Sequence, residues 1–394
     1  MSVPERIRRG INSGSLVRKM FDEGIIFKRQ YGVENIFDLS LGNPITEPPQ
    51  EFKVELRKLA NSNTPGLHRY MENAGYPETR AAVAANITKE TGVLFTEKEI
   101  VMTCGAAAAL NVVLRTILSA NDEVILFAPY FVEYIHYISN HDGIVKIIPT
   151  DERFMPDLNI LENAIGQKTR AIIVNSPNNP TGAVYGETIL RQIGDLLKEK
   201  QKQLGSQIIL ISDEAYSRIL FDGLKYQPVW KHYNESIVVT SHSKDLALPG
   251  ERIGYIAIHP ECTDKNDLVD GFIYCNRTLG FVNAPAMMQR VVRNLQGISV
   301  PAMGYQLKRD FLFDKMTAMG YSIVKPKGAF YLFPRALMDD DFAFVRELQK
   351  ERVLTVPGVG FGTPGYFRIG YCVDDRTLEG ALEGFRRVAQ RLKN

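Results

Sequence analysis

The 394-residue chain has little of several things. Its four cysteines, Cys104, Cys262, Cys275 and Cys372, form no CxxC pair, which argues against a disulfide framework or a structural zinc site. Six histidines show neither HExxH nor any ligand spacing, so no metal centre is expected. No apolar run approaches the roughly 18 residues that a membrane helix needs. The opening MSVPERIRRG has basic residues with no apolar stretch behind them, and does not read as a secretory signal. Net charge is also scarce. Lys and Arg number 47 against 45 Asp and Glu, for +2, which excludes bulk attraction to nucleic acid or an anionic membrane. These absences lead to the expectation of a cytoplasmic protein with no nucleic-acid or membrane partner.

What is present is ordinary globular composition, 45% hydrophobic and 23% charged. Short Val- and Ile-rich runs occur at Glu99–Thr103, Glu123–Phe127, Ile144–Ile148, Ala171–Val174, Gln207–Ile211, Ser236–Thr240 and Arg252–Ile258. Their length and β-branching predict buried strands. Between them lie helix-like stretches such as Gly105–Leu118 and Glu187–Leu204. The alternation predicts an α/β fold with a mostly parallel, helix-covered sheet of seven strands in a large domain, residues 46–285. From Pro285 the pattern changes to a long helical region ending at Met319. Short strands at Tyr321–Val324, Phe330–Phe333 and Tyr366–Tyr371 and helices at Asp341–Glu351 and Arg376–Lys393 follow. That pattern predicts a smaller α+β domain, residues 286–394, against which the N-terminal segment 1–45 packs.

Ligands of open α/β sheets bind beyond the carboxyl ends of the strands, so the residues following each run carry the chemistry. After Thr103 comes Gly105-Ala106-Ala107, small residues opening a helix whose free N–H groups suit a phosphate. After Val174 comes the polar turn Asn175-Ser176-Pro177-Asn178-Asn179-Pro180-Thr181-Gly182. After Ile211 comes Ser212-Asp213-Glu214-Ala215-Tyr216, and after Thr240 comes Ser241-His242-Ser243-Lys244, with Arg252 close behind. An amine, a carboxylate near a phenol, an amide and a phosphate cradle suit pyridoxal 5'-phosphate.

NNPTG, SDEAY and SHSKDLALPGERIGY, in this order and spacing, resemble the motifs of the class I/II aminotransferase family of fold-type-I pyridoxal-phosphate enzymes, over Leu41 to Gly370. The resemblance implies transfer of an amino group from an L-amino acid to a 2-oxo acid. It implies Lys244 as the Schiff-base lysine and proton shuttle. Asp213 matches the acid that keeps the cofactor ring nitrogen protonated. Tyr216 and Asn179 match the donors to its phenolate oxygen. The phosphate pocket is assigned to Gly105, Ala106, Ala107, Ser241, Ser243 and Arg252, where a guanidinium binds bidentately; Gly105-Ala106-Ala107 departs from relatives that carry a hydroxyl or amide there and is expected to offer backbone donors only. Phe131, with Tyr130 the next choice, matches the aromatic stacked on the ring. Arg368 and the backbone of Gly42 match the clamp on the substrate α-carboxylate, which Asn179 also borders. Tyr70 resembles the tyrosine that reaches the phosphate in a neighbouring subunit, which implies a homodimer with shared sites. The family often has cis bonds at the positions of Ala128–Pro129 and Asn179–Pro180.

Each residue also has a plainer reading. Lysines are mostly surface residues, an Asp after a strand often caps a helix, and an Ala-rich stretch is commonly helix core. The ordered set outweighs these. Gly360–Gly365 satisfies GxGxxG, but Pro364 sits inside it and a strand-like run follows, so it is read as a loop beside Arg368. His242, beside Lys244, is expected to point away from the site or pack. A C–S lyase, decarboxylase or racemase would use the same cofactor set. A DNA-binding regulator would need a basic module for which there is no room before Gly42, and a nucleotide-dependent oxidoreductase is disfavoured by the misplaced glycines. A second arginine for dicarboxylate substrates is sought in Arg277, Arg69 or Arg18.

Overall fold

The protein, described by a computed structural model, is defined over residues 3–12 and 16–393. Helices α1 (Glu5–Asn12) and α2 (Leu16–Tyr31) lead into a two-residue strand β1 (Phe37–Asp38), then α3 (Gln50–Ala60) and α4 (Pro77–Thr91). The alternating region follows: β2 (Ile100–Thr103), α5 (Ala106–Ile117), β3 (Glu123–Ala128), α6 (Tyr134–Ser139), β4 (Ile144–Pro149), α7 (Leu158–Ala164), β5 (Thr169–Asn175), α8 (Glu187–Leu204), β6 (Ile209–Asp213), β7 (Ser236–Ser241), the one-turn α9 (His242–Asp245) and β8 (Gly254–Ile258). Beyond it come α10 (Lys265–Thr278), α11 (Ala286–Arg293), α12 (Met303–Ala318), β9 (Tyr331–Leu332), α13 (Asp341–Lys350), β10 (Val353–Leu354), β11 (Val356–Pro357), β12 (Phe367–Gly370) and α14 (Asp375–Lys393).

All seven expected strands join one sheet, in the order β2-β8-β7-β6-β5-β3-β4. Only β8 runs against its neighbours β2 and β7. The runs are continuously apolar because successive side chains feed two different cores. In β3, Ile125 and Phe127 join one cluster with Ile172, Leu210 and Val238. Val124 and Leu126 join the other with Ile173, Ile211 and Val239. The carboxyl ends of β3, β5, β6 and β7 therefore share one edge with the end of β2. Because β8 is antiparallel, its start, and Arg252 just before it, arrives at that same edge.

The C-terminal part buries a third core around Phe330, Phe344, Phe367, Tyr371 and Phe385. Strand β1 pairs in parallel with β10, and the Gly370 N–H donates to Leu39 O, so the N-terminal segment is stitched to β10 and β12. The long helical region is two helices, α11 and α12, broken around Gly297 and Pro301. Helix α11 shares its core with α3 and α4 through Met288, Val291 and Phe52. No strand forms at Tyr321–Val324. One bond from Arg335 N–H reaches Ser322 O, and Pro326 has no N–H to continue a ladder. The cis bonds are Ala128–Pro129 and Ser176–Pro177, so the second lies three residues before the expected Asn179–Pro180.

Candidate active site

A cavity of about 280 Å³ opens at the carboxyl edge of the sheet. It collects Gly42, Ala106, Ala107, Phe131, Asn179, Asp213, Tyr216, Ser241, Ser243, Lys244, Arg252 and Arg368 from segments spread over the chain. Gly105 stands behind its lining, beside Arg252. Tyr70 does not line it and is 89% exposed.

At the β2 end, Gly105 (φ 84°) turns the chain into α5, whose first turn carries no acidic residue. A Cβ at position 105 would stand 2.7 Å from the Arg252 Nη2, so only glycine allows the guanidinium this close. Arg252 is fixed by donating from Nη1 to Pro249 O at 2.9 Å. The opening of α5, the Arg252 guanidinium and Ser241 and Ser243 gather at this end of the cavity, donors of the kind that can hold an anion.

Asp213 is the last residue of β6, paired with Asn175 and Val239. It is 6% exposed, and its Oδ2 accepts from the Tyr134 hydroxyl at 2.6 Å. Burial pushes its carboxyl up to about 6, against the pull of the Tyr134 and Ala215 donors. Asn175 Nδ2 donates to Asp213 O, and Asn175 Oδ1 accepts from Asn179 N–H, which ties the polar turn to the end of β6. The Tyr216 hydroxyl meets that of Tyr331 at 2.8 Å. Phe131 lines the cavity, edge-on to Tyr134.

Lys244 sits on α9 and donates from Nζ to Gly42 O at 2.6 Å. Burial lowers its amine to about 8; the nearby Arg368 and Arg252 push the same way, and Cys372 opposes. Gly42 is required here because a Cβ would fall 1.8 Å from the Tyr331 hydroxyl. Arg368, 2% exposed, lies between the rings of Tyr331 and Phe361 at 4.8 and 4.9 Å. It donates to Asn179 Oδ1 at 3.0 Å and Ser40 O at 2.6 Å, while its buried Nε finds no partner among the described residues. Burial lowers its proton affinity.

Sequence reasoning missed Tyr134, Asn175 and Tyr331. Asn175 stood inside the quoted turn and Tyr134 three residues beyond Phe131, but Tyr331 had no local signal. Tyr130 is buried and does not line the cavity. Gly360–Gly365 is a turn leading into β12, without a following helix. Arg277 is exposed over the Tyr274 ring and Arg69 is exposed on its loop, and neither lines the cavity of its own chain. The Arg18 side chain lies outside the described residues. No helix among the described residues is long and apolar enough to cross a membrane, and no cluster of metal-ligating side chains occurs among them.

Residues 34–385 match the family described as aminotransferase class I and II. A probable aspartate aminotransferase of Methanocaldococcus jannaschii is 30% identical, over 88% of this chain and 91% of that protein. Aromatic-amino-acid aminotransferase 2 of Thermococcus litoralis is 31% identical, over 96% of both. A crystal structure of an aminotransferase from Eubacterium rectale superposes with a TM-score of 0.96 at 38% identity, over all of both chains. Thermus thermophilus aspartate aminotransferase with maleate gives 0.87 at 28%, over 98% of this chain and 100% of that one. The chain belongs to the class I and II aminotransferases.

Proposed function

We propose that this aminotransferase works with pyridoxal 5'-phosphate held in the cavity, exchanging amino groups between L-amino acids and 2-oxo acids. The observation that carries the reading is one cavity that receives a half-buried amine, a buried carboxylate and a buried guanidinium, Lys244, Asp213 and Arg368, none ion-paired with another. Leaving three charged groups unmatched inside a protein is costly unless a ligand matches them. The cofactor fits that set. The Gly105 approach, the opening of α5, Ser241, Ser243 and Arg252 would hold its phosphate. Asp213 would face its ring nitrogen, Tyr216 and Asn179 its phenolate oxygen, Phe131 its ring face, and Lys244 its aldehyde.

Bound there, the cofactor supplies an electron sink for the pair left when a Cα–H bond breaks. The chain supplies the rest. Lys244 Nζ, about half neutral near pH 8, can take the Cα proton and release it again without leaving the site. Arg368 offers its fork to the α-carboxylate, with Asn179 and Ser40 fixing the guanidinium plane. Asp213 holds a negative charge in place, oriented by Tyr134. Tyr331 holds the Tyr216 hydroxyl.

A homodimer completes the proposal. Tyr70, with Tyr274 at 59% exposure, presents aromatic surface to a partner. The Tyr70 loop is fastened to the end of α10 by the Asn276 Nδ2 bond to Asn73 O. All four cysteines are free, which supports a reducing, cytoplasmic setting.

Relatives named for aspartate and for aromatic amino acids make those the first donors to test. An amino acid alone should convert the cofactor's visible band stoichiometrically, and 2-oxoglutarate, pyruvate or oxaloacetate should restore it. Release of ammonia or carbon dioxide with no need for an oxo acid would instead identify an eliminating or decarboxylating enzyme.

A further inference from the structure

Behind the site lies a second, smaller cavity of about 40 Å³ that the proposed chemistry does not use. Strand alternation separates the two. Asp213, Ser241 and Ser243 line the large cavity, and their neighbours Glu214, Thr240 and His242 line the small one on the opposite face of the sheet edge. At about 10–15 Å³ per water it has room for about three or four.

The lining is charged and incompletely satisfied. Glu214 is 6% exposed, and its carboxylate accepts from the Ser212 hydroxyl at 2.9 Å and the Tyr226 hydroxyl at 2.5 Å. His242 is 5% exposed; its Nδ1 meets Asp245 at 2.9 Å, while its Nε2 finds no partner among the described residues. The Nε1 of buried Trp230 finds none either. From the remaining elements, α4 contributes Glu90, ion-paired with Arg218, and β8 contributes Tyr255. Burial raises the Glu214 carboxyl to about 7; Tyr226 and Ser212 oppose this, Asp213 adds to it, and Arg218 opposes it. Two adjacent buried carboxyls, one on each face, disfavour ionising together.

We propose that Glu214, joined to His242 through water in this cavity, is a proton-holding centre that sets the charge environment of the cofactor site from behind the sheet. The inference rests on the cofactor assignment above. With its proton in place, Glu214 leaves Asp213 as the anion of this edge. When the proton passes to cavity water and on to solvent, the added negative charge favours protonated groups across the sheet, including the amine end of the site. Glu214 and His242 touch neither substrate nor cofactor and act as tuning and positioning residues.

Trp230 is the only tryptophan of the chain and lines this cavity, so its fluorescence reports on the centre directly. In the holoenzyme a fluorescence step between about pH 6 and 8 is expected, lost in Glu214→Gln and moved to higher pH in Tyr226→Phe, which removes a donor that favours the ionised carboxylate. The pH midpoint of the cofactor's visible band should fall by about 0.3–1 unit in Glu214→Gln, as expected for one charge removed across a protein layer. A wild-type Trp230 trace that is flat with pH overturns the proposal, as does a step that Glu214→Gln leaves in place. So does a Glu214→Gln band midpoint within about 0.1 unit of wild type. Absence of the visible band from wild type would count against the cofactor reading instead, and the Trp230 step, read from the protein itself, tests the proton centre either way.

Discussion

Arg309 and Arg368 are both buried arginines, and their surroundings differ in kind. Arg309, on α12, is fully buried. It grips Asp222 with two bonds of 2.7 Å, donates to Pro326 O, stacks over Phe221 and has Asp310 beside it. Burial works against its charge, but Asp222 and Asp310 outweigh burial and raise its proton affinity. Arg368 is as deep, yet its oxygen partners are an amide and a backbone carbonyl, and burial lowers its proton affinity. The same charge is thus matched by protein anions in one place and held by neutral partners in the other. A fully neutralised buried cation belongs to the fold. One held in register by neutral partners alone is, on the proposed reading, the place for the substrate carboxylate.

The largest effect should come from Arg368. Arg368→Gln is expected to lower kcat/KM for amino acids by about 10³-fold, mainly through KM, as when a buried charged hydrogen-bond partner is lost. The melting temperature should hold or rise, because an uncompensated charge has gone. A variant that loses stability instead would erase the contrast with Arg309. Arg309→Met should show the reverse pattern in urea unfolding, losing about 2–3 kcal/mol, below the roughly 3–5 kcal/mol of a fully buried pair because Asp222 is half exposed. Its kcat/KM per folded molecule should stay within about threefold of wild type.

Asp213 extends the comparison to an anion. Its folded proton affinity is raised from 3.8 to about 6, so between those pH values the folded chain binds more protons than the unfolded one. Stability of the cofactor-free protein should therefore fall as pH rises through that window. Asp213→Asn should remove its own part of the fall, gaining up to about 3 kcal/mol at pH 7 while losing cofactor retention, and should leave the part due to Glu214, raised from 4.5 to about 7. Parallel melts from pH 4 to 7 measure this, and identical slopes in both proteins would refute it. The smallest expected effect is that of Tyr331→Phe, which frees the Tyr216 hydroxyl from one partner. About 1 kcal/mol, or several-fold in kcat, is expected from single-turnover kinetics.

The parts of this molecule that could be read in advance share a physical cause. An apolar run buried on both faces ends where the chain must turn polar, and in a parallel sheet those ends gather at one edge. Asn179, Asp213 and Lys244 were visible for that reason. Tyr331 was not, because its role is a contact with Tyr216, 115 residues away. Tyr134 reaches Asp213 over 79 residues and follows the same logic. Tyr321–Val324 has a strand-like pattern but no partner strand, and pairing is not encoded locally. Tyr70 points to a further limit, since it does not line the cavity of its own chain and its expected role needs a second copy.

The most direct test of the account is borohydride reduction of the purified protein, followed by proteolysis and mass spectrometry. Reduced cofactor on the peptide bearing Lys244, and on no other lysine, is the predicted result. Cofactor fixed to a different lysine, or a Lys244 peptide that stays unmodified while the protein retains its cofactor, would contradict it.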